Sequence, residues 1–319
     1  MDLSIIIVNW NSKEYLRKSL ASIMAGTHGI EYEIIVIDNA SFDGCEEMLR
    51  RHFPQIRFVQ SNENLGFARA NNVAFKVSKG RNILFLNPDT EIEDSAIETL
   101  SRSLDALPGA GIVGAKLLNS DRSVQTSCIR AFPTILNQLL ESDALRHAFP
   151  RAGMWGAGPL FTEDKTPAEV DAVSGASLMI KRSVFEAVGM FSTDYFMYSE
   201  DIDICFKVNK AGWKTYYVPS SVIVHHGGTS SSQSSVSVFS SVMLLESRWR
   251  FFCKTRSHWY CWSYRLALCG ASIVRIGLVV LMWLVYGLRG RGHPIRNTVK
   301  RWSARLRWTL GGEGWVKRY

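Results

Sequence analysis

Four short apolar runs alternate with helical stretches over the first 86 residues, and each run stops at a polar cluster. Residues 3–8 (LSIIIV) are largely apolar and Ile-rich, which suits a parallel strand buried on both faces. Asn9-Trp10-Asn11-Ser12 breaks the run, and residues 13–24 set Tyr15, Leu16, Leu20 and Ile23 on one side of a helix. The cycle repeats. A strand at 33–37 stops at Asp38-Asn39-Ala40-Ser41, a helix follows at 45–52, and a strand at 56–60 stops at residues 61–66. A helix at 68–78 then leads to a strand at 82–86, which stops at Asn87-Pro88-Asp89. This βαβαβαβ order implies an open parallel sheet with right-handed crossovers. In such sheets ligands sit outside the carboxyl ends of the strands. Turn chemistry favours Asn, Asp, Ser and Gly at any single strand end, but four in series predict a ligand cleft.

The cleft lacks the usual phosphate cradles. No GxGxxG follows the first strand and no GxxxxGK[ST] occurs. A bound nucleotide would need its phosphates neutralised in another way, and a divalent metal on carboxylates would serve. Further along, residues 111–118 read as a strand. Residues 150–167 carry three Pro and three Gly and predict a mobile loop, either a substrate lid or an inert linker. Strand character returns at 172–180. A helix is expected at 201–211 with Gly212 as its stop. A strand at 215–224, interrupted by Pro219, ends in His225-His226-Gly227-Gly228 before a Ser-rich stretch at 229–241.

Charge divides the chain. Residues 1–243 hold 22 Lys+Arg against 27 Asp+Glu, a net −5, whereas residues 244–319 hold 15 against 2, a net +13. The overall +8 therefore belongs to the C-terminal segment, and a domain boundary is expected at 243. Residues 266–288 contain one charge, Arg275, and are long enough to span a bilayer. A central Arg costs about 2.5–3.5 kcal/mol on insertion scales. Arg248, Arg250, Lys254, Arg256 and Arg265 precede that stretch, interleaved with Trp249, Phe251, Phe252, Trp259, Tyr260, Trp262 and Tyr264. Basic and aromatic residues together describe a membrane interface. The expectation is an amphipathic helical segment lying on the anionic inner face of the cytoplasmic membrane. A true span, a buried helical hairpin and a homo-oligomer interface are the alternatives, and no motif supports nucleic-acid binding. The six cysteines form neither CxxC nor a zinc spacing, as expected of reduced cytosolic thiols. The first residues lack the basic start of a signal peptide.

Seven motifs fall in a recognisable order: IIIVNWN at 5–11, VIDNAS at 36–41, NLGFARANN at 64–72, LNPDTE at 86–91, SGASLMIKR at 174–182, YSEDIDIC at 198–205 and HHGGTS at 225–230. They resemble the inverting family 2 glycosyltransferases, and more closely the bacterial rhamnosyltransferase-like branch that builds cell-surface polysaccharides. The likeness covers residues 1–241. It implies an α/β GT-A fold, a Rossmann-like, mostly parallel open sheet flanked by helices. It implies a nucleotide pocket lined by Asn9, Asn11, Asp38, Asn39, Asn64, Gly66, Asn71, Asn72 and Asn87. Asp89 and His225 would hold Mg²⁺ or Mn²⁺, with His225 favoured over His226 because it directly follows the apolar strand. The family's Asp-x-Asp reads Asn87-Pro88-Asp89 here, and Glu91 could help the metal. Asp201 would be the catalytic base and Glu200 its acceptor-side helper.

The residues by themselves leave other readings open. Asp38 could accept the imide N–H of a uracil or thymine ring, or simply close an Asx turn. Gly66 permits a close backbone approach that any tight loop might need. Asn71 and Asn72 are also common helix-start residues. The three acids at Glu200, Asp201 and Asp203 complement a helix N-terminus whatever else they do. Asp203 lies about 200° round a helix from Asp201 and reads as structural. Tyr195, Phe196 and Tyr198 suggest a sugar-stacking wall. The functional expectation is metal-dependent transfer of a sugar, L-rhamnose from dTDP-rhamnose first among candidates, from a UDP- or dTDP-sugar to a glycan or lipid-linked acceptor. The rivals are a nucleotidyltransferase that makes the activated sugar and a non-catalytic sugar-nucleotide-binding membrane protein.

Overall fold

The structure, a computed structural model, describes residues 1–140, 145, 148–227, 238–287 and 293–318. Gly228, Thr229 and Ser230 of the last motif, most of the Ser-rich stretch and Leu288 lie outside the described residues. The chain forms two compact units. The first comprises Met1–Phe132, Ala144–Phe196 and Glu200–Ser230, and the second comprises Pro133–Asp143, Met197–Ser199 and Ser231–Tyr319. The boundary expected at 243 falls inside the helix Val238–Thr255, and two short upstream segments join the second unit.

In the first unit, β1 (Leu3–Asn9), β2 (Tyr32–Asn39), β3 (Arg57–Ser61) and β4 (Asn82–Leu86) run parallel in the order β3-β2-β1-β4. They are joined by α1 (Lys13–Gly26), α2 (Cys45–His52) and α3 (Gly66–Phe75). β1 is buried along its whole length, which is why its sequence shows no polar alternation.

Beyond β4 the sheet becomes mixed. The chain continues through β5 (Thr90–Ile92), α4 (Ala96–Ala106), β6 (Ala110–Leu118), β7 (Ile129–Arg130), β8 (Ala168–Glu169), β9 (Ala172–Val173), β10 (Ser177–Lys181) and β11 (Lys214–His225). The nine-stranded sheet has the order β3-β2-β1-β4-β10-β6-β11-β5, with β8 also on β11. β10 lies antiparallel to both β4 and β6. The single strand expected at 172–180 is therefore two: β9 pairs with β7 in a separate ribbon, and Ser174-Gly175-Ala176 turns the chain into β10. β11 stays one element across Pro219 because the register shifts there, between Val218 and Val222, where a missing N–H costs no ladder bond. Residues 150–167 form two short 3-10 turns, Gly153–Trp155 and Gly158–Phe161. Buried Trp155 anchors them through its Nε1–H to the Phe149 carbonyl at 3.0 Å.

One face of the sheet carries an aromatic cluster. Phe185, on the helix Arg182–Ala187, meets Phe75, Phe85 and Phe191 with ring centroids 4.8, 5.0 and 5.3 Å apart.

The second unit is helical, built from Val238–Thr255, His258–Gly287 and His293–Thr309 with one short helix at Ile135–Leu139. Arg265 stands over the rings of Trp249, Trp262 and Trp308 at 5.4, 5.8 and 5.1 Å. It also donates to the carbonyls of Trp308 and Thr309, which close the helix His293–Thr309. Arg275 donates to the Leu139 carbonyl at 2.7 Å and stacks on Trp302. The span His258–Leu281 is long and apolar enough to cross a membrane, with mean hydropathy 1.7.

Phe185→Ala should cost about 3–5 kcal/mol, because the three facing rings cannot collapse onto the space left behind. Urea denaturation of the purified variant measures it.

Candidate active site

The carboxyl ends of β1 and β2 meet in a hydrogen-bond knot. Asn9 and Asp38 are register partners, and both are fully buried. Asn9 Nδ2 donates to Asp38 Oδ1 at 2.8 Å, to Ser41 Oγ at 3.1 Å and to both Asp43 oxygens at 3.3 Å. Asp38 also accepts from the Ser41 hydroxyl, the backbone N–H groups of Ser41 and Phe42 (3.1 Å each) and Gln60 Nε2 (2.9 Å). Burial acts to raise the Asp38 pKa, but the hydrogen bonds from Ser41, Gln60, Asn9 and Phe42 outweigh it and hold the carboxyl below its usual value. Five donors already reach this carboxylate, so a ring N–H arriving from a ligand would have to displace one of them. Gln60, one of these donors, is exposed.

Asn39 organises the next loop. Its Nδ2 donates to Asn64 Oδ1 and to the Gly66 carbonyl, and its Oδ1 accepts from Leu65 N–H at 2.8 Å. Gly66 sits at φ +72°, and a side chain there would run into the Phe196 carbonyl, which instead accepts Phe67 N–H at 2.9 Å. Asn11 is exposed at φ +52°, at the mouth of the β1 end. Asn71 folds back onto the Phe67 carbonyl of its own helix. The expectation for Asn72 needs correction. Its amide bonds the Phe191 backbone in both directions, Nδ2 to the carbonyl at 2.8 Å and Oδ1 from the N–H at 3.2 Å, so it ties α3 to a loop rather than facing a ligand.

Asp89 and His225 come together. β5 pairs antiparallel with β11 so that His225 lies opposite Thr90. His225 Nε2 is 3.3 Å from Asp89 Oδ1 and 3.2 Å from Asn87 Nδ2, and its Nδ1 is 2.9 Å from Gln125 Oε1. Two cis ligands of an octahedral ion, each at about 2.1 Å, stand about 3 Å apart, so this oxygen–nitrogen pair fits Mg²⁺ or Mn²⁺. Asn87 turns its amide nitrogen toward the pair. Glu91, expected as a possible helper, is instead 2.8 Å from His226 Nε2, and Ser120 Oγ lies 2.8 Å from the other nitrogen of that ring. His226 is thus engaged by Glu91 and Ser120, whereas the His225 ring is the one beside the Asp89 carboxylate.

Asp38, Asp43 and Cys45 also bring ligand-capable atoms within 4.8 Å of one another. The two carboxylates are occupied by the donors above and by the N–H groups of Lys13 and Cys45. Burial and the neighbouring carboxylates push the Cys45 thiol well up, away from the thiolate a metal needs.

Asp201 lies in the first turn of the helix Glu200–Lys210. Its Oδ2 accepts Gly175 N–H at 3.2 Å and its Oδ1 accepts Ile202 N–H at 2.8 Å. A Cβ on Gly175 would sit 3.3 Å from that of Asp201, so the glycine admits the acid. The adjacent Ala176 carbonyl accepts Asn87 N–H at 3.1 Å. One turn, residues 174–176, therefore touches both the proposed base and the Asn87–Asp89 stretch. Glu200 is buried, and Tyr198 and Ser199 before it adopt φ +69° and +67°. Consecutive left-handed non-glycine residues are costly, and such strain clusters at functional sites. Asp203 is structural, as its helix position suggested. It is buried and accepts from Ser192 Oγ and from Tyr195 OH. Tyr195 is therefore core, not a sugar-stacking wall; burial and the Asp203 charge push its hydroxyl pKa far up.

Gln60, Asp43 and Gln125 were not singled out by sequence. Asp43 lies just past a motif and was within reach of a local reading, whereas nothing in the irregular stretch after β6 marks Gln125.

The chain is similar to known proteins. The family model described as Glycosyl transferase family 2 matches residues 4–154, and that described as Glycosyl transferase family group 2 matches residues 164–310. The N-acetylglucosaminyl-diphospho-decaprenol L-rhamnosyltransferase of Mycobacterium tuberculosis (strain H37Rv) is 27% identical over 289 residues, 87% of this chain and 92% of that protein. Rhamnosyltransferase WbbL of Escherichia coli K12 is 26% identical over 232 residues, 70% of this chain and 82% of that one. Among solved structures, mannosyltransferase PcManGT from Pyrobaculum calidifontis, in complex with GDP-Man and Mn²⁺, matches with TM-score 0.56 and 18% identity over 97% of this chain and 86% of that one. That likeness is one of fold, and the fold is GT-A-like.

The Asp38 charge contributes stability above the ordinary carboxyl value of about 3.9 and loses it as pH falls through the depressed folded value. Asp38→Asn should flatten this acid limb, so that its urea midpoint falls less than the wild type's between pH 5 and about 2. Asn72→Ala should cost about 2–4 kcal/mol of stability, from two lost bonds and the buried Phe191 groups left behind. Nucleotide affinity measured by calorimetry should stay unchanged.

Proposed function

We propose that this chain, which belongs to glycosyltransferase family 2 and is a glycosyltransferase, is an inverting, divalent-metal-dependent enzyme of surface polysaccharide assembly. The donor is a nucleoside-diphosphate sugar, with dTDP-L-rhamnose the first to test because both relatives above are named rhamnosyltransferases. The acceptor is a lipid-linked glycan, the class named for the mycobacterial relative. The observation that carries the reading is the Gly175 turn, which touches Asp201 on one side and the Asn87–Asp89 stretch on the other.

In the proposed reaction Asp201 takes the proton from an acceptor hydroxyl as that oxygen attacks the anomeric carbon. The bond to the diphosphate breaks on the opposite face, so the configuration inverts. Asp89 and His225 would hold Mg²⁺ or Mn²⁺, which when bound offsets charge on the leaving diphosphate. Gly175 N–H keeps one Asp201 oxygen in place while the carboxylate works. Asn9, Asp38, Asn39, Asn64, Gly66 and Asn11 shape the floor and mouth of the nucleotide side. Glu200 supports the acceptor side.

The second unit would carry the enzyme to the acceptor. On the helix His258–Gly287, Trp259 (82% exposed), Trp262, Leu266 (70%) and Ile273 recur at spacings of three, four and seven, so they share one exposed apolar face. Arg275 is turned to the Leu139 carbonyl and Trp302, which supports a helix that lies on the inner face of the cytoplasmic membrane.

The test is a panel of UDP- and dTDP-sugars with Mn²⁺ and a lipid-linked acceptor, read by nucleoside diphosphate release and by the anomeric configuration of the product. Pyrophosphate formation, or retention of configuration, would defeat the proposal. Asp201→Asn should lower kcat by about 10²–10⁴-fold with donor affinity kept. Trp259→Ser combined with Leu266→Ser should reduce co-flotation with anionic vesicles several-fold while leaving turnover on a soluble acceptor analogue intact.

A further inference from the structure

We propose that Gln125 is a positioning residue that fixes His225 as the Nδ1–H tautomer and turns its Nε2 lone pair toward Asp89. The argument rests on the asymmetry of a carboxamide, whose NH₂ end only donates and whose oxygen only accepts. Gln125 grips one residue at two points. Its Nε2 lies 2.6 Å from the His225 backbone carbonyl, which can only accept, so the NH₂ end must face that carbonyl. This places Oε1 against the ring, 2.9 Å from Nδ1. An oxygen that only accepts requires the proton on Nδ1, and a neutral ring protonated there leaves Nε2 bare. Nε2 is the atom 3.3 Å from Asp89 Oδ1, and Asn87 Nδ2 is placed to donate to it at 3.2 Å. Both ends of Gln125 and the Asn87 amide nitrogen then have matching partners, while Asp89 Oδ1 faces the bare Nε2 across 3.3 Å, two electron-rich atoms that a cation between them would reconcile.

The grip has its own anchor. Gln125 N–H donates to the Leu117 carbonyl at 2.9 Å and its carbonyl accepts Cys128 N–H at 3.1 Å. Leu117 lies on β6, beside β11, opposite Ile223. The strand that carries His225 and the loop that orients it are thus referenced to the same neighbour. Outer partners of this kind commonly change metal affinity by about 10–100-fold when removed.

The inference rests on the proposed metal site at Asp89 and His225, and the experiment separates the two. Proton–nitrogen long-range correlation spectra of the metal-free protein, at a pH where the ring is neutral, report which ring nitrogen carries hydrogen. The His225 signals are assigned by their loss in His225→Ala. The expected result is hydrogen on Nδ1 in the wild type. Gln125→Leu should shift His225 toward the Nε2–H form and weaken Mn²⁺ binding, titrated by electron paramagnetic resonance, by about 10-fold or more. Gln125→Glu, which keeps an acceptor at Nδ1 but loses the donor to the His225 carbonyl, should hold more of the Nδ1–H form than Gln125→Leu and bind Mn²⁺ more tightly than it. Hydrogen on Nε2 in the wild type overturns the proposal without any variant, and so does an unchanged tautomer in Gln125→Leu. Mn²⁺ binding with an Nε2–H ring would sink the role of Gln125 and spare the metal site. An Nδ1–H ring that depends on Gln125, in a protein that binds no Mn²⁺, would support the grip and sink the metal site.

Discussion

The pairing of β5 with β11 is the constraint on which the site depends. β5 has only three residues, yet its antiparallel register sets His225 opposite Thr90 and so beside Asp89. The backbone reinforces it: His226 N–H donates to the Asp89 carbonyl at 2.9 Å. A slip of one residue would turn His225 to the other face of the sheet and separate the oxygen from the nitrogen. That register is held from both flanks, by β6 on one side of β11 and by the Ser221 hydroxyl bonded to the Ala96 carbonyl at the start of α4.

The carboxyl ends of β1, β2 and β3 follow a different physical logic. Along β1, β2 and β3 the parallel ladder aligns Asn9, Asp38 and Gln60, so three polar side chains arrive at one level without any loop having to carry them. The buried Asn9 amide nitrogen and the exposed Gln60 both donate to the buried Asp38 carboxylate, while Asn9 Oδ1 is buried with no hydrogen-bond partner among the described residues. Five donors fix the Asp38 carboxylate in this knot. The loop through Asn39, Asn64 and Gly66 adds a second closed set beside it.

In the second unit, arginines set beside tryptophans do the work that carboxylates would do elsewhere. Only two acidic residues lie among the last 76, so a +13 segment has few ion-pair partners. Arg265, Arg275 and Arg305 rest on indole faces, and Arg265 and Arg275 also donate to backbone carbonyls. Guanidinium tolerates this because it is weakly hydrated and flat. The charge in the middle of the apolar stretch is thereby accommodated inside the unit, and between Trp259 and Leu281 the same helix exposes apolar side chains.

Much of this protein was legible in its residues. Unalternated apolar runs identified the buried parallel strands, because a strand covered on both faces has no polar side to show. Polar stops marked the strand ends where Asn9, Asp38 and Gln60 gather, and the helix position of Asp203 marked it as structural. Tertiary structure decided what local pattern cannot carry. The antiparallel insertion of β10, the split of residues 172–180 and the short β5 depend on pairing between strands 42 to 135 residues apart. Asn72 is held by Phe191, 119 residues on, and Tyr195 by Asp203, only eight residues on, since a buried polar group takes whatever donor or acceptor the fold brings within reach. Gln125 shows the limit most plainly. An amide in an irregular stretch has no periodicity to reveal it, and only the return of the chain 100 residues later places a histidine in its grasp.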